Sequence, residues 1–276
     1  MTLEISHLVV NGCSLTLCQG LENPHIDGWP ALLAKKIGVP VVNLALGGSS
    51  NDGIHHRTYN YLYKSLEFYE KNKIEAKPFY LNVMTYAGRR EEYFKQYYNS
   101  PDTERYFCLD LSPDYNKISN IIDNHKTDLS SIAAYVEFGY LLNFDLLSSQ
   151  IKKLHYWASL VNLCKANNIP YATADYIPTY EEEILFILQS RYNSLLNVIY
   201  DKNYFGDFAE LTKSFPKLPC QHDGLEAQVF LCDYIYNKLI EQYETITVIP
   251  IKSVFTLKQF YIKEPLSMVA KSSQWY

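Results

Sequence analysis

Ile5-Ser6-His7-Leu8-Val9-Val10-Asn11-Gly12-Cys13-Ser14 is the stretch on which the fold turns. A short apolar run closed by Asn-Gly predicts a strand followed by a turn. Reading on, residues 28–37 have helical spacing, with Pro30 near the first turn and Gly38 as the stop. Residues 39–46 give a second buried strand. A loop of small residues, Gly47-Gly48-Ser49-Ser50-Asn51-Asp52, follows it. A helix over about 53–71 and a strand over 78–86 come next. Strand and helix alternate through the first 90 residues, which predicts a parallel sheet with covering helices.

The rhythm breaks over 95–150, where Tyr, Asn, Asp and Ser dominate. This stretch reads as an insertion or cap, partly helical near 129–148. The alternation resumes with a helix over 149–166, a turn at Asn167-Asn168-Ile169-Pro170 and a strand over 171–176. Helices are expected at 180–199 and 224–243, with a loop over 200–221 between them. One strand-like run, Thr245 to Ile251, lies in the last segment. The expected organisation is an α/β, three-layer, flavodoxin-like sandwich over 1–244, carrying the insertion, with 245–276 as a C-terminal extension. No internal repeat or low-complexity tract interrupts it.

The 276 residues carry 25 Lys plus Arg against 30 Asp plus Glu, a net charge of −5, so nothing in the charge favours a nucleic-acid partner. The apolar share of 47% and charged share of 20% exclude fibrous and wholly disordered classes. No run of about 18 apolar residues exists, so no membrane span is expected. The first ten residues lack a basic start and a long apolar core, and read as a strand, not a signal peptide. Six cysteines form no Cys-x-x-Cys pair and match no zinc module. Reduced thiols and a cytoplasmic setting are the expectation.

Three segments could carry chemistry. Ser14 follows the first strand, where active sites form in parallel α/β sheets. Its hydroxyl is a weak nucleophile that needs a base, and a turn serine or helix cap is the plainer alternative. Gly47 and Gly48 follow the second strand, and glycines there let backbone N–H groups approach a ligand or stabilise an oxyanion. The phosphate-loop patterns G-x-x-x-x-G-K and G-x-G-x-x-G are absent, which disfavours a nucleotide-binding reading. Gln221-His222-Asp223-Gly224 places a histidine on a loop before the last long helix. His7 reads as core. Asp52, His55 and His56 read as a solvated first helical turn rather than a metal site.

Taken together, Gly12-Cys13-Ser14-Leu15-Thr16, Asn43 to Gly48, and His222 running into a helix resemble the SGNH (GDSL-like) hydrolase superfamily. Ser14 and Gly48 lie 34 residues apart, which suits that family's layout. The resemblance covers 5–90 well and 150–243 loosely. It implies Ser14 as nucleophile, His222 as base, and the backbone N–H groups of Ser14 and Gly48 as oxyanion donors. It implies no metal or organic cofactor. The substrate would be a small-molecule or glycan ester.

Three departures stand out. Cys13 replaces the family's Asp. The third block, Met84-Thr85-Tyr86-Ala87-Gly88-Arg89-Arg90, has no Asn, so Asn51, Thr85, Tyr86 or Arg89 would have to supply the missing donor. Pro219 and Cys220 occupy the positions of the family's acid, leaving Asp223, Asp207 or a backbone carbonyl to orient His222. The alternative is a catalytically weakened scaffold serving as a binding or virion structural protein. The Asn-Gly-Cys-Ser block looks similar to that of some phage-encoded SGNH-like chains. Ser14, Gly48 and His222 are expected around one cleft, with Cys13 and Cys18 reduced and buried.

Overall fold

A computed structural model describes residues 2–87, 89–93, 106–110, 146–176 and 182–255. In chain order the elements are β1 (Thr2–Ile5), β2 (His7–Asn11), α1 (Ser14–Leu17), α2 (Pro24–Asp27), α3 (Trp29–Ile37), β3 (Val41–Asn43), α4 (Asn51–Lys71) and β4 (Pro78–Met84). They continue with β5 (Arg89–Tyr93), β6 (Tyr106–Asp110), α5 (Leu146–Ala166), β7 (Tyr171–Asp175), α6 (Glu182–Arg191) and α7 (Asn193–Ile199). The last are β8 (Tyr204–Asp207), α8 (Phe208–Thr212), α9 (Leu225–Gln242) and β9 (Thr245–Val248).

The central sheet has the order β3-β2-β4-β7-β8, and all its pairings are parallel. β2, β4 and β7 are buried along their whole length. That is why apolar residues predominate in them: helices cover both faces of the sheet. Alternate residues face opposite layers. Leu8, Val10, Phe79 and Leu81 pack against Trp29, Leu33, Leu231 and Ile235 of α3 and α9. Val9 and Tyr80 pack against Ile54, Tyr61, Leu154 and Trp157 of α4 and α5. The α/β, doubly covered parallel sheet expected from the sequence is what the chain forms.

β2 has β3 on one side and β4 on the other, so the chain reverses its direction of winding there. In open α/β sheets such a switch point opens a crevice at the carboxyl ends of the strands. The turns after β2 and β3 both lead into it.

Several expectations need correction. The loop expected over 200–221 contains β8, an edge strand of the main sheet, and α8. Tyr-Phe-Gly-Asp is short and Gly206 has φ +102, so no strand period shows in the sequence. The helix expected over 180–199 is two helices that meet at Tyr192. The amino-terminal strand is also two. β1 pairs with β9 in a separate parallel ribbon, and β2 enters the main sheet. The second strand is limited to Val41–Asn43. The expected insertion lies outside the described residues except for β6 and the start of α5. The helical run expected near 129–148 falls outside them up to 145, as do Gly88 and residues 256–276.

Candidate active site

At the end of β2, Asn11 ties the sheet to α4. Its Nδ2 donates to Ile54 O at 2.8 Å and to Thr58 Oγ1 at 2.8 Å. Its Oδ1 accepts from Gly12 N at 2.8 Å. A Cβ on Gly12 would lie 2.1 Å from Thr16 Oγ1, so only glycine lets α1 fold back onto the turn. Cys13 is extended and precedes the helix. Ser14 is its first residue, 8% exposed. The first N–H groups of a helix have no intrahelical partner, which leaves that of Ser14 open to a ligand. Among the described residues no hydrogen bond reaches Ser14 Oγ. Cys13 and Cys18 are free and buried, and burial pushes the Cys18 thiol up to about 12.

The loop after β3 lies against α1. Asn43 Nδ2 donates to Thr16 O at 3.4 Å, and Leu46 N donates to Gly12 O at 3.4 Å. Gly48 has φ +74 and open space where a Cβ would stand. Ser50 then caps α4 by accepting from Gly53 N at 3.3 Å.

His222 lies beside the residues that follow α1. A Cβ on Gly20 would meet Cys220 Sγ at 2.4 Å and His222 Cβ at 3.9 Å. The residues just past α1 therefore rest on the histidine turn. That turn is tight: Gln221 N donates to Leu218 O, Leu218 N donates to His222 O, and Gln221 has φ +63. His222 is 7% exposed, and its Nδ1 sits 3.0 Å from the carbonyl oxygen of Cys220. A carbonyl only accepts, so Nδ1 carries the proton and Nε2 of the neutral ring is the acceptor.

Asp223 is 2% exposed and faces other partners. Thr212 Oγ1 donates to it at 3.3 Å, and Lys217 Nζ forms an ion pair with it. Asp207 caps α8, accepting from Ala209 N at 2.9 Å and Glu210 N at 3.2 Å. Asn51 clamps the end of β4. Its Nδ2 donates to Thr85 O at 3.0 Å and Tyr86 O at 3.3 Å, and its Oδ1 accepts from Thr85 N at 2.8 Å. Both amide protons are thus committed to the backbone. Thr85 is fully buried, and Arg89 opens β5. His55 bonds Ser159 Oγ at 3.1 Å and His56 bonds Asn60 Nδ2 at 2.8 Å. Among the described residues no group of three or more His, Cys, Asp or Glu is placed to hold a metal ion. None of the described helices is long and apolar enough to cross a membrane.

Sequence reading passed over three buried polar side chains around these turns. Arg57 on α4 is 6% exposed and bonds Leu44 O, Gly12 O, Asn11 Oδ1 and Ser49 Oγ. Gln228 on α9 is 1% exposed. Its Oε1 accepts from Cys18 Sγ and Trp29 N, and its Nε2 donates to Asp223 O. Lys153 pairs with Asp175 at 2.6 Å, both fully buried at the carboxyl end of β7. Burial raises the Asp175 carboxyl, and Lys153 opposes that rise. The helical period marks a polar residue as outward when its apolar neighbours define the other face, so none of the three stood out.

No protein-family model matches the chain, and no curated protein matches it. Among solved structures it is similar to the psychrotrophic esterase EstA of Pseudoalteromonas sp., with 15% identity over 87% of this chain and 99% of that one, at a TM-score of 0.49. It is similar to a family two carbohydrate esterase of Clostridium thermocellum, solved with cellohexaose, with 11% identity over 86% of this chain and 64% of that one, at 0.47. It is also similar to a protein of Desulfitobacterium hafniense assigned to the G-D-S-L lipolytic family, with 12% identity over 85% and 99%, at 0.43.

Proposed function

We propose that the chain is a serine hydrolase of the SGNH type that cleaves an O-acyl ester, with acylated carbohydrate as the first substrate class to test. The observation that carries the reading is the Nδ1 contact of His222 with the Cys220 carbonyl, on a turn that rests against the segment following Ser14. It leaves Nε2 as an acceptor without a carboxylate in the usual place.

In this reading Ser14 Oγ attacks the acyl carbonyl carbon while His222 Nε2 takes its proton. The N–H groups of Ser14 and Gly48 hold the negative oxygen of the tetrahedral intermediate. The bond to the leaving alcohol breaks, and His222 returns the proton to that oxygen. Water then attacks the acyl-Ser14 ester, with His222 again taking and returning a proton, and releases the acid. Asn51 has a positioning role here, fixing the β4 end against α4.

The test is turnover of a panel of p-nitrophenyl acyl esters and acetylated sugars, with labelling of Ser14 by a fluorophosphonate. Wild type should turn over at least one ester and take the label. Ser14→Ala and His222→Ala should each lose at least about 10³-fold. If wild type and Ser14→Ala are equally inert and no label attaches, a binding scaffold becomes the better account.

A further inference from the structure

Resting on that reading, we propose that Arg57 is the positioning residue of the oxyanion site, a single guanidinium that holds the two donor-bearing turns in register. Its Nε donates to Leu44 O at 2.9 Å, anchoring the plane at the exit of β3. Its Nη2 reaches Gly12 O at 3.5 Å, two residues before Ser14, and Ser49 Oγ, one residue after Gly48. The same nitrogen lies 3.4 Å from Asn11 Oδ1, the atom that also receives Gly12 N. One side chain of α4 therefore touches both segments whose N–H groups would face the oxyanion.

Two physical features suit it to that task. The guanidinium is planar, so fixing one edge on Leu44 fixes the direction of the other, and a lysine cannot reproduce the fork. The group is also buried, where a cation acts through a low effective dielectric on charge that develops nearby. The third block offers no asparagine, and both amide protons of Asn51 are engaged. Arg57 favours the oxyanion through the placement of Gly12 and Ser49 and through its field, without touching substrate.

The experiment compares wild type, Arg57→Lys and Ser49→Ala. It reads kcat, KM, fluorophosphonate labelling of Ser14, and inhibition by phenylboronic acid, which forms a tetrahedral anion on a serine. Arg57→Lys keeps the charge and most of the volume. Ser49→Ala removes the hydroxyl that receives Arg57 Nη2, and serves if the lysine variant fails to fold. We expect Arg57→Lys to lower kcat by about 10–100-fold with KM within about threefold, since misplacement by about 1 Å carries a penalty of that size. Boronate affinity should fall by the same factor. Ser49→Ala should shift both in the same direction by about three- to tenfold. Wild-type kcat and boronate affinity in Arg57→Lys, or in a folded Ser49→Ala when the lysine variant does not fold, would overturn the proposal while wild type is still labelled. A loss that disappears on cooling overturns it too, because that marks a purely structural role. Absence of label on wild type overturns the hydrolase reading, and the role of Arg57 falls with it.

Discussion

A carbonyl oxygen has no proton to give, and that fact governs how His222 and Asp223 are held. Cys220 O holds the imidazole by Nδ1, whereas the Asp223 carboxylate is bonded to Lys217 and Thr212 on the far side of the loop. Asp223→Asn should therefore keep kcat within about tenfold of wild type while lowering the melting temperature, because it removes the charge that holds Lys217. A loss of about 10⁴ in kcat, as when an orienting aspartate is removed, would show instead that Asp223 acts on the ring. His7 gives a second test at this scale. It is fully buried in β2, with Ser6 Oγ 2.9 Å from Nδ1 and Tyr69 OH 3.3 Å from Nε2. Burial lowers it from 6.5 to about 4. Between those values the unfolded chain binds a proton that the folded chain refuses. Its contribution to stability is full above pH 6.5 and drains away as the pH falls toward 4, amounting to about 3 kcal/mol. Urea unfolding followed from pH 7 to pH 4 should show this slope, and His7→Gln should flatten it. The core assignment of His7 was legible because it sits in an apolar run. Arg57 was not, because a lone arginine in a helix of mean polar character reads as a surface residue until its partners are seen.

Elements were legible where the chain is buried on both sides. β2 and β4 announce themselves as largely apolar runs, β7 by the turn at Asn167-Asn168-Ile169-Pro170 before it, and α9 as a strong helical period. β8 did not, because an edge strand of four residues with a glycine inside has too little pattern to read. Contacts between elements are harder still to foresee. Gln228 illustrates this: from α9 it accepts Cys18 Sγ at 3.1 Å beyond α1, accepts Trp29 N at 3.2 Å at the start of α3, and donates to Asp223 O at 3.3 Å in the histidine loop. It thus joins the segment carrying Ser14 to the segment carrying His222. Gln228→Met keeps the volume and strands Trp29 N and Asp223 O, while Cys18 Sγ retains Thr16 O. Each buried unsatisfied group costs about 1–3 kcal/mol, so the variant should lose at least about 2 kcal/mol in denaturant unfolding. Its kcat should fall further than a destabilised but intact active site would predict, with activity measured well below the melting point. An unchanged kcat would mean that α1 and the histidine loop are held together by other contacts.

At the scale of the molecule, the question is what the segment after α9 contributes. The sequence reads 245–276 as an extension of the domain, yet its described residues are bonded to the body through β1 and α4. β9 pairs with β1 over Thr2↔Thr245 to Ile5↔Val248, and Ile249 N donates to Ile5 O at 2.8 Å. Phe255 is buried against Tyr61 and Phe68 of α4. Tyr61 OH donates to Phe255 O at 2.8 Å, and Phe255 N donates to Tyr69 OH at 3.1 Å. Tyr69 OH in turn meets His7 Nε2, so the segment closes a chain of contacts that ends in the central sheet. Truncation after Gln242 would strip β1 of its only strand partner among the described residues and expose two buried tyrosines. Loss of the Phe255 side chain alone is worth about 3 kcal/mol on the scale of buried Phe→Ala changes. In a chain of this size that corresponds to a fall in melting temperature of roughly 6–12 °C, with the ribbon adding to it. Truncation after Phe255 keeps all of these contacts and sets the baseline. Phe255→Ala in the full chain should reproduce most of the difference between the two truncations. If the shorter truncation melts with the longer one, β9 and Phe255 are ornaments on a domain that ends at 244, and the boundary expected from the sequence stands.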